Sequence, residues 1–127
     1  DDSERLKKMI KDFNIEEDVI IKGFIEYEKI PEALHNADIF VLSSLYESQN
    51  MSILEAAFCG LPVVSTDVGI AKEISDYIVP LGDYEALADK ILHVINNPVT
   101  NYSDLYEKFS LEKCAEGFYQ LYLSFSK

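Results

Sequence analysis

Apolar residues recur along this chain at two spacings, and their alternation predicts a series of short elements. Leu6, Met9, Ile10 and Phe13 fall at helical spacing behind Ser3, a suitable N-cap, so a helix with one buried face is expected over residues 4–13, ended by Asn14. Val19, Ile20 and Ile21 form a β-branched run closed by Gly23, which reads as a short buried strand with a turn after it, flanked by Lys22 and Phe24. In EYEKIPEALHNAD, Pro31 suits the first turn of a helix whose inner face is Ile30, Leu34 and Ala37 and which stops near Asp38. Residues 39–42 have the length and aliphatic content of a central strand. Residues 43–49 then form a loop, and residues 51–58 a compact helix ended by Gly60 and Pro62.

The second half repeats the alternation. Residues 62–66 predict a third strand, Asp67-Val68-Gly69 a turn, residues 71–74 a short helix and residues 77–79 a fourth strand. Asp83 can cap a helix running to about Asn96 with Leu87, Ile91, Leu92 and Ile95 as its apolar stripe, broken by Asn96-Asn97-Pro98. Residues 102–109 read as a weaker helix. Ser110 caps a last one whose Phe118, Leu121, Tyr122 and Phe125 crowd one side. Strands alternating with helices, without hairpin turns, define an α/β class: a Rossmann-like, doubly wound parallel sheet with helices on both faces. In such sheets ligands bind at the carboxyl ends of the strands, which places the loops 22–27, 43–50 and 66–69 on one edge.

Composition narrows the partners. The 127 residues fit one domain, and 48% hydrophobic content is enough for a core. A formal net charge of -12, with no basic run longer than Lys7-Lys8, removes the footprint that nucleic-acid binding needs. The same acidity means that any phosphate ligand must be held by backbone N–H groups or by residues outside these 127. Cys59 and Cys114 lie in apolar stretches without C-x-x-C or Cys/His ligand spacing, so buried, reduced thiols are expected and a metal site is not. No stretch approaches the ~18 apolar residues of a membrane span, and DDSERLKK resembles neither a signal nor a transit peptide, so a cytoplasmic domain is expected. The chain opens directly into a helix, as though a preceding strand had been cut off.

The candidate chemistry lies between Ser43 and Thr66. Glu47 falls in the loop at the ligand edge and Glu55 inside the following helix, at E-x7-E spacing, with residues 48–52 presenting the free N–H groups of a helix start. N–H groups there suit diphosphate oxygens, and a carboxylate accepts paired bonds from vicinal sugar hydroxyls, two features that a nucleotide sugar combines. On spacing alone the plainer reading of the two glutamates is surface charge favouring the helix dipole. A glycoside-hydrolase pair would have to face each other at ~5–9.5 Å with one carboxyl protonated, which a glutamate in the helix behind the loop does not suit. His35 and His93 have no triad order or second ligand near them, and the chain has no D-x-D pair, G-x-G-x-x-G or Walker sequence. Tyr119, Tyr122 and Phe125 could form a partner patch, with core or interdomain packing the plainer reading.

The whole string F-V-L-S-S-x-x-E-x7-E-A-A-x-x-G-x-P-V-V-S-T closely resembles the signature of family 4 glycosyltransferases. VIIKGFI, HNADIFVLSS, DVGIAKEI, VPLGDYEALADKI and SLEKCAEGFYQLY resemble that family's flanking segments, so the likeness runs from about Ser3 to Tyr122. It implies the C-terminal, donor-binding domain of a GT-B fold, with the first strand and the N-terminal acceptor domain lying outside the chain. It also implies retaining, metal-independent sugar transfer from a UDP-, GDP- or ADP-sugar with no cofactor. By the same resemblance Glu47 is the catalytic residue that contacts the donor sugar's hydroxyls, and Glu55 holds the ribose. Ser48, Gln49 and Asn50 replace a common Gly-Phe-Gly, Met51 and Ser52 give N–H groups to the phosphates, and Phe24 and Ile25 line the nucleobase, a core position being the alternative for Phe24. Asn50 is the residue there best able to tolerate an unusual backbone angle.

The likeness has gaps. Between Glu73 and Tyr77 the family usually carries several more residues, and its diphosphate-neutralising Arg and Lys come from segments before Asp1. The chain alone is therefore expected to be inactive, and the parent enzyme could associate with membranes through lipid-linked acceptors. The other classes open at this stage are a GT-B epimerase or phosphorylase relative and a noncatalytic sugar-nucleotide-binding or assembly domain.

Overall fold

The computed structural model of the chain describes residues 2–125, and it divides into two compact units, Asp1–Ile30 and Pro31–Lys127. In the first, α1 (Asp2–Asp12) ends where Asn14 turns left-handed at φ 53°, so that the Ile15 N–H reaches the Ile10 carbonyl at 3.2 Å and the Asn14 N–H reaches that of Lys11 at 3.0 Å. This paired closure satisfies carbonyls that a helix end would otherwise leave open. Of the expected buried face only Ile10 is buried, while Leu6, Met9 and Phe13 are exposed. Spacing predicts a helix, but a stripe is buried only where a second layer lies against it.

Residues 19–21 correct a second expectation. The run forms no regular element and joins no sheet, and Ile20 is 79% exposed. β-branched residues fit a pleated surface, yet a strand exists only when a neighbour takes its N–H and C=O groups, and no ladder forms here among the described residues. A single 3-10 turn, Tyr27–Lys29, leads into α2 (Ile30–His35). That helix is shorter than expected, leaving Ala37 beyond its end and exposed.

The second unit contains the sheet. Strands β1 (Phe40–Leu42), β2 (Val63–Thr66) and β3 (Ile78–Val79) are parallel in the order β1-β2-β3, with Phe40 opposite Val63, Leu42 opposite Ser65, and Thr66 opposite Val79. The central strand is therefore β2, and the strand expected at 39–42 lies on an edge of the described sheet, its Val41 exposed. All four residues of β2 are buried. Because successive side chains point to opposite faces, this requires cover on both. Val63 packs with Ile53, Ala57, Ala71 and Ile74 from α3 (Met51–Phe58) and α4 (Ala71–Ile74). On the other face Thr66 shares a crevice with Leu87 of α5 (Tyr84–Asn96).

Asp83 caps α5 as its sequence predicts, Oδ1 accepting the Ala86 N–H at 2.9 Å. Its buried residue is Val94, 1% exposed, whereas Leu92 and Ile95 face outward. At 100° per residue, Val94 falls under Leu87 and Ile91, and Leu92 turns away from all three. The next helix, α6, spans only Leu105–Phe109. Tyr102 precedes it and is held instead by its hydroxyl, which donates to the Leu61 carbonyl at 2.8 Å; burial raises the phenol's pKa and keeps that donor protonated. Ser110 caps α7 (Leu111–Phe125) by accepting the Lys113 N–H at 3.2 Å. No residue of α7 is buried, so Phe118, Tyr119, Leu121, Tyr122 and Phe125 form an exposed stripe, which removes the core reading and leaves the interdomain one standing. The thiols are corrected too: Cys59 is half-buried at the end of α3 and Cys114 is exposed on α7, because apolar sequence neighbours do not set which way a helix position faces. No helix among the described residues is long and apolar enough to cross a membrane.

Candidate functional site

Helix α3 is fixed at both ends by its own sequence. Asn50, with ordinary extended backbone angles (φ -93°, ψ 109°), is its N-cap: Oδ1 accepts from the Ser52 N–H at 2.9 Å, the Ile53 N–H at 3.3 Å and the Ser52 hydroxyl. At the other end Gly60, φ 79°, lets its own N–H reach the Ala57 carbonyl at 2.9 Å and the Leu61 N–H reach that of Ala56 at 3.1 Å. Between the caps Ile53, Leu54, Ala56 and Ala57 are buried, which leaves Met51 exposed and Glu55 half-buried on the outward side.

The loop before α3 starts at the carboxyl end of β1. Glu47 is half-buried in it, and Oε1 accepts the Ser44 hydroxyl at 2.8 Å, which leaves Oε2 open. The Thr66 hydroxyl, at the end of β2, donates to the Ser44 carbonyl at 2.6 Å. Gly69 lies against the Glu47 and Ser48 carbonyls. Two of the three loops expected to share an edge are thus in contact. Phe24 and Ile25, on the third, belong to the other unit; Phe24 is 91% exposed, which removes the core reading for it, and Ile25 is half-buried.

Two expectations about individual residues change. Asn50 uses no unusual backbone angle; it is a cap, and in that role it occupies the Ser52 N–H that was expected to face a phosphate. The backbone N–H groups of Ser48, Gln49, Asn50 and Met51 have no acceptor among the described residues, so the open donors lie on the loop and at the first helical position. Ser48 and Gln49 are exposed. Sequence reading missed the supports of Glu47, namely Ser44, Thr66 and Gly69. The signal for them was weak: a hydroxyl three residues before the glutamate, and a glycine just past the carboxyl end of a strand. Replacing Asn50 by alanine removes a cap worth roughly 0.5–2 kcal/mol. Thermal unfolding of Asn50→Ala should show that loss, and an unchanged midpoint would disprove the capping role.

A parallel α/β sheet carrying a glutamate loop at its carboxyl edge is a frame for small-ligand binding, and comparison with known proteins identifies the class. The family model described as "Glycosyl transferases group 1" matches residues 1–97, and the chain belongs to that family. It is 32% identical to the poly(ribitol-phosphate) alpha-N-acetylglucosaminyltransferase of Staphylococcus aureus (strain COL), over 95% of this chain and 27% of that protein. It is 26% identical to the N-acetyl-alpha-D-glucosaminyl L-malate synthase of Bacillus anthracis, over 91% of this chain and 33% of the relative. The UDP-Gal:alpha-D-GlcNAc-diphosphoundecaprenol alpha-1,3-galactosyltransferase of Escherichia coli is 27% identical over 84% of this chain and 28% of its own length. Among solved structures, the sucrose-phosphate synthase from Thermosynechococcus elongatus superposes with a TM-score of 0.72 at 21% identity, covering 95% of this chain and 34% of that one. The fold is thus of the GT-B glycosyltransferase type, and the chain spans about a quarter to a third of the length of these relatives.

Proposed function

We propose that the chain is the donor-binding part of a retaining glycosyltransferase that moves a hexosyl group from a nucleotide sugar to a glycan or lipid-linked acceptor. The observation that carries this reading is the placement of Glu47: on a loop at the carboxyl edge of the parallel sheet, tied to Ser44, with unpaired loop N–H groups between it and Glu55, in a member of the group 1 family. Glu47 takes the donor sugar's hydroxyls beside the anomeric carbon, and Glu55 the ribose hydroxyls. Ser48, Gln49, Asn50 and Met51 offer N–H groups to the diphosphate. Ser52 offers its own only if the Asn50 side chain moves off it.

In the transfer the acceptor oxygen attacks the anomeric carbon on the face from which the diphosphate leaves. The carbon–oxygen bond to phosphate breaks, and the acceptor's proton passes to the departing phosphate oxygen. Stabilising the departing charge falls to the loop N–H groups together with basic residues supplied by the rest of the parent protein, as a chain of net charge -12 requires. No metal step is assigned, in keeping with a sequence that lacks a D-x-D pair. The chain is then one domain of a longer protein that includes an acceptor-binding domain, and it works in the cytoplasm or peripherally at a membrane. Titration calorimetry of the full-length protein against UDP-, GDP- and ADP-sugars tests the reading. One nucleotide class is expected to bind, and failure of all three would sink it.

A further inference from the structure

The loop that carries Glu47 is not anchored by apolar burial: Leu45 and Tyr46, the residues just before the glutamate, are 71% and 85% exposed. Its fixed points come from elsewhere. Thr66, buried at the end of the central strand, donates its hydroxyl to the Ser44 carbonyl at 2.6 Å, and the Ser44 hydroxyl in turn donates to Glu47 Oε1 at 2.8 Å. Gly69, at φ +49°, approaches so closely that a Cβ there would sit 3.0 Å from the Ser48 carbonyl oxygen and 3.2 Å from that of Glu47. Both are backbone atoms, so neither can swing aside as a side chain would. The left-handed angle penalises a side chain independently of the space.

We infer that Thr66 and Gly69 are positioning residues for the Glu47 loop: the turn between β2 and α4 fixes the backbone of residues 44–48 and with it the direction of the Glu47 carboxylate. The structural half stands on these contacts, and the consequence for transfer rests on the donor-site reading above. Thr66 supplies a hydrogen bond that serine can replace and valine cannot. Gly69 supplies the absence of a side chain, which nothing else can replace.

The test uses backbone 15N relaxation and steady-state kinetics, both of the full-length protein. Order parameters over residues 44–49 are expected near the rigid value of about 0.85 in the wild type and below about 0.6 in Gly69→Ala and Thr66→Val, with Thr66→Ser restored. Gly60→Ala is the control, because Gly60 is also left-handed, at φ +79°, but a Cβ there meets nothing within 4 Å. It should lower stability without loosening the loop. In the full-length protein Gly69→Ala should lower kcat at least tenfold with little change in donor KM. A loop no looser in Gly69→Ala and Thr66→Val than in Gly60→Ala overturns the assignment, whatever the kinetics. A loosened loop with unchanged kcat supports the loop-holding role and overturns the placement of Glu47 at the reacting sugar.

Discussion

Ile53→Ala should lower the unfolding free energy by about 2–5 kcal/mol, one of the largest losses available to a single substitution in this chain. Ile53 is 0% exposed in the first turn of α3 and lies in the cluster formed by Leu54, Ala57, Leu61, Val63, Ala71 and Ile74. Its neighbours belong to β2, α3, α4 and, for Leu61, the turn between α3 and β2, each set by its own hydrogen bonds, so they close only partly over the space left by the lost carbons. The same residue's N–H is one of the two held by the Asn50 cap, so its packing also fixes where the helix begins, one step from the Glu47 loop. Urea denaturation monitored by circular dichroism gives the measurement, with Leu92→Ala as comparison. Leu92 is exposed on α5, and its truncation should stay within about 0.5 kcal/mol. Equal losses in the two variants would remove Ile53 from the core.

Where hydrogen bonds are local, the elements were legible in the chain. Helix α3 was readable to its last residue because its start signal, Asn50, and its stop signal, Gly60, act within a few residues of their targets. The caps Asp83 and Ser110 were readable for the same reason. What was not legible depends on partners distant in sequence. Residues 19–21 have the composition of a strand and pair with none among the described residues, and strand status is a property of a pair. Which strand is central was hidden likewise, since β1 (Phe-Val-Leu) and β2 (Val-Val-Ser-Thr) are both short runs with strand-forming residues and only the order β1-β2-β3 separates them. The stripe of α7 is periodic yet exposed, because periodicity reports a face and not its cover.

The site divides along the same line. The position of Glu47 in a loop and Glu55 in a helix followed from local pattern, as did the family likeness that the comparisons establish. Residue type points to the backbone of Asn50, whereas its side chain does the capping, a distinction that residue type alone does not make. The hold of Thr66 and Gly69 on residues 44–48 spans some twenty positions and exists only once β1 and β2 lie side by side.

The two glutamates should separate kinetically if their proposed roles are right. Glu47→Ala in the full-length enzyme is expected to lower kcat by about 10²–10³-fold, the usual loss when one preorganised electrostatic group is removed from a reacting centre, while donor affinity changes little. Glu55→Ala removes charge-assisted hydrogen bonds to hydroxyls distant from the reacting carbon, each interaction of that kind contributing about 1.5–3 kcal/mol. Its loss should therefore raise the donor's dissociation constant by about 10–150-fold, with kcat at saturating donor largely retained. Glu55 is suited to that role because α3 is held rigidly by Asn50 and Gly60, so the carboxylate's place does not depend on the loop. Glu47 depends on Ser44, and Ser44→Ala should reproduce a milder form of its kcat defect without touching donor affinity. Initial-rate kinetics combined with donor titration reads all three variants. Equal effects of Glu47→Ala and Glu55→Ala on affinity, with kcat intact in both, would return the pair to surface charge at the start of a helix.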